Sequence, residues 1–237
     1  MSYLAESRIS EALGHLLEIL PSQTDVYIVG GALRNLVIEM IYGRPPITVD
    51  IDIFLGNCHS LPTLQPSTVT DLGGLAWHPG TCPVSFDICL LKDFVILRKN
   101  RLLPSLNNLM ASIDFTMNTL IYDVRRKQLY DGGAVHDIEK RLMEFHSPVF
   151  YSRPLTVYRI LLLRSKTDFM LSPTVFRFIK HQVDLDILMS LKRILASRYD
   201  REGRKALLQE YDRICAFPDY QEYVTNAPEA VPPGEGS

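Results

Sequence analysis

Residues 26–55 read VYIVGGALRNLVIEMIYGRPPITVDIDIFL, and the fold turns on them. The apolar run Val26 to Val29 predicts a strand. Gly30-Gly31 interrupts it, and helical spacing runs from about Ala32 to Tyr42. The loop Gly43-Arg44-Pro45-Pro46 leads into a second predicted strand, Thr48 to Leu55. On that strand Asp50 and Asp52 alternate with Val49, Ile51 and Ile53. Alternate side chains of a strand point to opposite faces. The two carboxylates therefore share one face, with Cα atoms roughly 6.5–7 Å apart, and the apolar residues take the other.

Two like charges beside an apolar face are costly unless something positive compensates them. A divalent cation is the simplest compensation, and Mg²⁺ favours one or two carboxylates completed by phosphate oxygens and water. The Gly-Gly opens a helix, where free backbone N–H groups favour phosphate. Taken alone, a Gly-Gly reads as a tight turn and an Asp-x-Asp as a solvated strand end. Together, in this order, they point to a nucleoside triphosphate with Mg²⁺ or Mn²⁺.

The bulk numbers set bounds. The chain has 237 residues, 46% of them apolar, enough for one sizeable core or a domain with a helical appendage. A net charge of −2 gives no global basic field. The charge is uneven, however. Residues 150–216 hold 13 Lys and Arg against 7 Asp and Glu, whereas residues 1–149 hold 12 against 16. The basic half either faces RNA or is solvated helix. Cys58, Cys82, Cys89 and Cys215 show no C-x-x-C spacing and read as reduced thiols of a cytoplasmic protein. No apolar run approaches about 18 residues, and the N-terminus has no secretory pattern, so neither membrane insertion nor secretion is expected.

Tyr3 to Leu20 has amphipathic helical spacing that ends at Pro21. Pro83 to Leu91, PVSFDICLL, reads as a core strand that carries Asp87. A charge in so apolar a run is either an edge-strand aspartate facing water or a third carboxylate beside Asp50 and Asp52, acting as metal ligand or as base. Lys92 to Met110 has no clear period. Asp114 is placed to cap a helix starting at Phe115. Asp137 to Phe145 reads as helix or turn. From Pro154 the pattern is helical: Leu155–Lys166, then Ser172-Pro173 to Gln182, Asp184–Tyr199 with Asp184 or Asp186 as cap, and Glu202–Cys215. A Pro-, Gly- and Glu-rich tail follows from Thr225 and is expected to be disordered.

These blocks resemble the catalytic head of the class II tRNA nucleotidyltransferase and bacterial poly(A) polymerase family, within the DNA polymerase β-like nucleotidyltransferase superfamily. VGGALRNLVIEMIYGRPPITVDIDI is similar to the family's Gly-Gly, Arg-Asp, Gly-Arg-Pro-Pro, Asp-x-Asp block. SFDICLL sits where its third acidic strand belongs. DFTMNTLIYD is similar to its Arg-Arg-Asp-Phe-Thr-Ile-Asn-Ala-Leu block, and LYDGGAVHDIEKRLMEF to its Asp-Pro-Phe-Gly-Gly…Asp-Leu block. RPLTVYRILLLRSKTDFMLSP resembles the first neck helices more weakly. The resemblance covers roughly residues 25–175.

It implies an α+β fold: a polymerase-β-like nucleotidyltransferase head (residues 1–149) with a small mixed sheet and helices on one side. An all-helical neck (150–224) and the tail (225–237) follow. By the same resemblance Gly30, Gly31 and Arg34 hold the triphosphate. Asp50, Asp52 and Asp87 hold the metal ions, and Asp114 and Asn118 contact the ribose or phosphates of an NTP, ATP or CTP. Three departures stand out. Asn35 follows the arginine where the family has Asp, and Ser112-Ile113 replace its Arg-Arg. Ser152, Arg153 and Thr156 fall where its base-reading Glu-Asp-x-x-Arg would be. The chain also ends soon after the neck. The expectation is therefore an Mg²⁺-dependent nucleotidyltransferase with an RNA acceptor but without the full CCA-adding activity. Two alternatives stay open: transfer to a protein or small molecule, and a non-catalytic nucleotide- or RNA-binding module. A protein partner or homo-oligomer is compatible with each.

Overall fold

The computed structural model describes residues 3–43, 48, 50–70, 73–80, 82–147 and 152–227. Arg44, Pro45, Pro46 and Val49 lie outside these residues, as does most of the Pro-rich tail, so the expectations for them have no structural counterpart. The chain divides into two compact units, residues 1–113 with 117–135, and residues 114–116 with 136–237.

The first unit opens with helix α1 (Tyr3–Ile19), strand β1 (Asp25–Val29), helix α2 (Gly31–Tyr42) and strand β2 (Asp50–Gly56). Then come β3 (Ser67–Val69), β4 (Leu75–Trp77) and β5 (Ser85–Leu90). The short helices α3 (Val95–Lys99) and α4 (Leu106–Ala111) lead to β6 (Leu120–Asp123) and β7 (Gln128–Asp131). The seven strands form one mixed sheet in the order β3-β4-β5-β2-β1-β6-β7. Only the β2–β5 pairing is parallel among these contacts. A parallel pair needs a long crossover, and the β3–β4 hairpin lies within it.

The alternation read from the sequence decides the layers. Ile51, Ile53 and Leu55 are buried together with Leu16 of α1 and Leu20 just beyond it, Val26 and Ile28 of β1, and Phe86 and Ile88 of β5. Asp50 and Asp52 point the other way and are exposed. That second face is not bare. Tyr27, Val29 and Ile121 are buried there with Leu97 of α3 and Leu109 of α4. Helices thus pack on both faces rather than on one. Residues 91–111 lack a strong period, so the sequence did not mark α3 and α4 as the second cover.

Helix α5 (Ala134–Glu139) straddles the division between the units. The second unit holds β8 (Leu142–Met143), α6 (Arg153–Thr167), β9 (Met170–Leu171), α7 (Pro173–His181), α8 (Leu185–Arg198), α9 (Arg201–Ala216) and α10 (Tyr220–Asn226). Each of these helices starts at a side-chain cap. Ser152, Ser172, Asp184, Asp200 and Asp219 accept the N–H groups of Leu155, Val175, Ile187, Gly203 and Glu222. A two-residue parallel pair, β8–β9, is added to the helices. Helix α10 follows the last helix marked in the sequence, Glu202–Cys215; it lies mostly within the predicted neck and runs two residues into the predicted tail. Its Tyr223 is fully buried, and its hydroxyl accepts the Leu171 N–H at 3.0 Å.

The helix expected from Phe115 does not form. A single 3-10 turn, Thr116–Asn118, stands in its place. Phe115 instead bridges Phe145, and the Thr116 N–H donates to the Glu144 carbonyl at 3.0 Å. Those pairings fix an extended backbone where an N-capped helix would need a helical one.

Asp137 of α5, in the second unit, is buried, and its Oδ2 has no hydrogen-bond partner among the described residues. Burial raises its pKa above the ordinary carboxylate value, with the Glu144 charge adding and His136, Thr116 and Lys140 opposing. The folded state therefore holds this proton to higher pH than the unfolded chain does. Its contribution to stability is complete below about pH 4, where both states are neutral, and is lost as pH rises through the folded pKa. Asp137→Asn removes the charge. Thermal unfolding from pH 4 to pH 8 is expected to shift in favour of the variant, relative to wild type, as pH rises. A gap between the two proteins that does not change with pH would contradict this.

Candidate active site

Strand β1 delivers the chain to Gly30, whose N–H donates to the Leu120 carbonyl of β6 at 3.0 Å. Gly30 has φ 72° and ψ −114°, a conformation that residues with a Cβ rarely adopt. Helix α2 begins immediately after, at Gly31, and no side chain caps its first turn. Its first N–H groups are thus presented without a local side-chain acceptor.

The register then puts the carboxylates beside this turn. Val29 lies directly opposite Asp52 in the antiparallel β1–β2 pair. The Gly30-Gly31 turn consequently leaves the sheet next to the acidic segment of β2. On the other side of β2, Asp52 lies level with Asp87 in the parallel β2–β5 pair, and Asp50 with Ser85. Paired residues of neighbouring strands point to the same face. Asp50, Asp52 and Asp87 therefore share one face across two strands spaced about 4.8 Å apart.

The electrostatics fit that crowding. The Asp87 pKa is raised above the ordinary carboxylate value, first by burial and then by the Asp50 charge, with the exposed His78 opposing. Two residues on, the Cys89 thiol is pushed up to about 11, first by burial and then by the charges of Asp93 and Asp52. This face carries negative potential that favours a cation. Among the described residues no three His, Cys, Asp or Glu side chains converge into a metal-holding group. The arrangement is an open carboxylate surface rather than a closed cage. That suits an ion such as Mg²⁺, which takes one or two carboxylates and completes its shell with phosphate and water.

Arg34 lies one turn into α2 and is buried. Its Nη1 donates to Asn118 Oδ1 at 2.6 Å, and its Nε and Nη2 donate to Asn35 Oδ1 at 3.1 and 2.8 Å. Asn35 in turn donates to Thr48 Oγ1 at 2.9 Å. An amide orients the guanidinium, as a carboxylate in its place would, but does not neutralise it. Gly30, Gly31, Arg34, Asn118 and the three carboxylates all belong to the first unit.

Asp114 belongs to the second unit. Its Oδ1 accepts the Phe115 N–H at 3.0 Å, and its Oδ2 accepts Arg159 Nε in an ion pair. Sequence reasoning passed over Arg159, although a cation in the apolar run VYRILLLR was a signal. It also passed over His78, which no local pattern ties to Asp87. At the neck positions, Ser152 caps α6, and the Thr156 hydroxyl donates to the Ser152 carbonyl at 3.0 Å. Both side chains serve the helix start.

No family model and no curated protein matches the chain by sequence. Comparison of folds does find counterparts. A CCA-adding enzyme solved with ATP superposes with a TM-score of 0.57 and 17% identity, over 92% of this chain and 56% of that one. The fold is that of CCA-adding enzymes over this span. The Bacillus stearothermophilus CCA-adding enzyme in complex with CTP gives 0.52 at 20% identity, over 86% and 52% of the two chains. The Thermotoga maritima CCA-adding enzyme complexed with tRNA gives 0.53 at 18% identity, over 89% and 51%. The chain spans about half the length of these solved enzymes. Among the described residues no helix is long and apolar enough to cross a membrane.

Gly31 offers a direct test of the turn. A Cβ there would meet only Arg34 Nη2, at an ordinary 3.8 Å, and Gly31 has no positive φ. Gly31→Ala is expected to keep the melting temperature within about 1 °C of wild type and, if this turn's amides hold a phosphate, to weaken NTP binding about tenfold, because the methyl would crowd a phosphate approaching the backbone. Unchanged affinity by calorimetry would remove Gly31 from the site. Gly30→Ala is strained by about 1–3 kcal/mol and cannot separate the two effects.

Proposed function

We propose that the chain is a metal-dependent nucleotidyltransferase that moves a nucleoside monophosphate from ATP or CTP to a hydroxyl of RNA and releases pyrophosphate. The observation that carries this reading is the register of three adjacent strands. It sets the uncapped Gly30-Gly31 turn, Asp52 and Asp87 side by side. The turn's amides and the Arg34 guanidinium hold the triphosphate and stabilise the charge that develops on the pyrophosphate. Asp50 and Asp52, with Asp87, would hold Mg²⁺ or Mn²⁺, which supplies charge neutralisation at the reacting phosphoryl group. Asp87, level with Asp52 across the β2–β5 pair, is placed to take the proton of the attacking hydroxyl.

Fold relatives that are CCA-adding enzymes, solved with ATP, CTP or tRNA, support the choice of substrates. Ser152 and Thr156 are engaged at the start of α6, which favours a base choice different from that of the CCA-adding enzymes. The test is a transfer assay with each of the four α-labelled NTPs and Mg²⁺ or Mn²⁺, with and without total RNA. Label on RNA supports the reading. Label on protein alone redirects it to a protein acceptor. Absence of both transfer and NTP binding overturns it in favour of a non-catalytic module.

A further inference from the structure

The second unit carries cations that its own fold does not use. Arg159 pairs with Asp114, while Arg164 and Arg213 pair with Glu210. Lys180 donates to the carbonyls of Cys215 and Phe217, and Arg198 lies 5.4 Å from the centre of the Tyr158 ring. Four others, Lys192, Arg201, Arg204 and Lys205, gather around one groove of about 500 Å³ between α8 and α9. Among the described residues no ion pair engages any of the four. The apolar surface of Leu195 and Leu208 lies between them, and Asp212 is the one carboxylate in the lining.

We propose that this groove is a track for the phosphate backbone of RNA. Arg201, Arg204 and Lys205 follow the i, i+3, i+4 spacing of a single face of α9, and Lys192 answers them from α8. The result is a concave surface with cations on both helices. No aromatic side chain lines it to stack a base, and Gln209 is the only side-chain amide there. Such a lining holds phosphates and reads almost no sequence. Its polarity opposes that of the acidic face of the first unit. The proposal deepens the reading above and rests on it only for the choice of RNA as the polymer.

The test measures binding without catalysis. A fluorescent single-stranded RNA of mixed sequence is titrated with the full chain by anisotropy, with EDTA and no NTP, from 50 to 200 mM salt. Each phosphate neutralised on a single strand contributes about −0.7 to the slope of log K against log salt, so four contacts contribute about −2.8. The variant Lys192→Ala/Arg201→Ala/Arg204→Ala/Lys205→Ala should lose at least about tenfold in affinity at 50 mM salt and most of that slope. A control lacking four exposed cations elsewhere (Arg8, Arg98, Lys140, Arg177) should lose less than about threefold.

If the quadruple variant fails to fold, Lys192→Gln/Lys205→Gln, at two exposed positions, should remove about half of the slope change. The proposal is overturned if wild type does not bind RNA at 50 mM salt, or if the groove variant binds like wild type. It is also overturned if tripolyphosphate competes as well per phosphate as RNA. RNA binding through the groove with neither nucleotide transfer nor NTP binding would sink the catalytic reading alone. Transfer with no loss of binding in the groove variant would sink this one alone.

Discussion

Asp52→Asn is expected to yield a folded protein that transfers no measurable nucleotide. The side chain is exposed on β2, with its apolar neighbours Ile51 and Ile53 on the opposite, buried face. Asparagine has nearly the same shape, so stability should change by no more than about 0.5 kcal/mol. The charge is what the substitution removes. On the proposed reading Asp52 would help to hold Mg²⁺, and an amide would replace that carboxylate poorly, because Mg²⁺ favours carboxylate and phosphate oxygens. Loss of a group that stabilises charge in the transition state costs at least about 10²–10³ in rate, and loss of a metal ligand should exceed that. Asp50→Asn should behave alike. NTP binding in EDTA should survive in both variants, because the Gly30-Gly31 turn and Arg34 are untouched. A variant that transfers label within tenfold of wild type would remove Asp52 from the reaction.

The elements that build this site were the most legible parts of the sequence, for physical reasons. Period-two alternation over residues 50–55 decides which face is buried, and one residue of slip would bury both carboxylates. Gly30 is glycine because its backbone, φ 72°, demands it. Asp87 was suspicious because a carboxylate interrupted a core strand, and the β2–β5 register sets it level with Asp52.

What stayed illegible depended on distant partners. Asp114 looked like a local cap, but its ligand is Arg159, 45 residues on. Helix α10 carries no strong local signal, because its one buried anchor, Tyr223, closes on Leu171. His78 became relevant to Asp87 only once β4 had paired with β5. The identity of 17–20% to the matched enzymes, with no sequence match at all, tells the same story. The fold persists where most individual residues do not.

The largest effect on stability is expected at the second unit's buried ion pair. Arg164 is 1% exposed and Glu210 2%. Arg164 Nε donates to Glu210 Oε1 at 2.6 Å, and its Nη1 donates to the Phe169 carbonyl at 2.8 Å. Its guanidinium lies 5.7 Å from the centre of the Tyr223 ring, and Glu210 Oε2 accepts Arg213 Nη1 at 3.1 Å. The pair ties α6, α9 and the β9 approach together.

Removing one partner leaves a dry, uncompensated charge, which costs about 3–5 kcal/mol. For a protein of this size that is a fall of roughly 10 °C in the melting temperature. Glu210→Ala should therefore melt far below wild type. Arg164→Lys should fail nearly as badly, because an ammonium cannot reach Glu210 and the Phe169 carbonyl with the same planar fork. The double variant Arg164→Met/Glu210→Leu removes both charges and should be more stable than either single truncation, since the desolvation penalty disappears with the pair. The decisive quantity is the coupling across the cycle of Arg164→Met, Glu210→Leu and their double variant, measured by thermal or denaturant unfolding. Single variants that melt within about 2 °C of wild type, or a double variant less stable than both singles, would mean that the pair contributes little and that the apolar helix contacts alone hold the second unit.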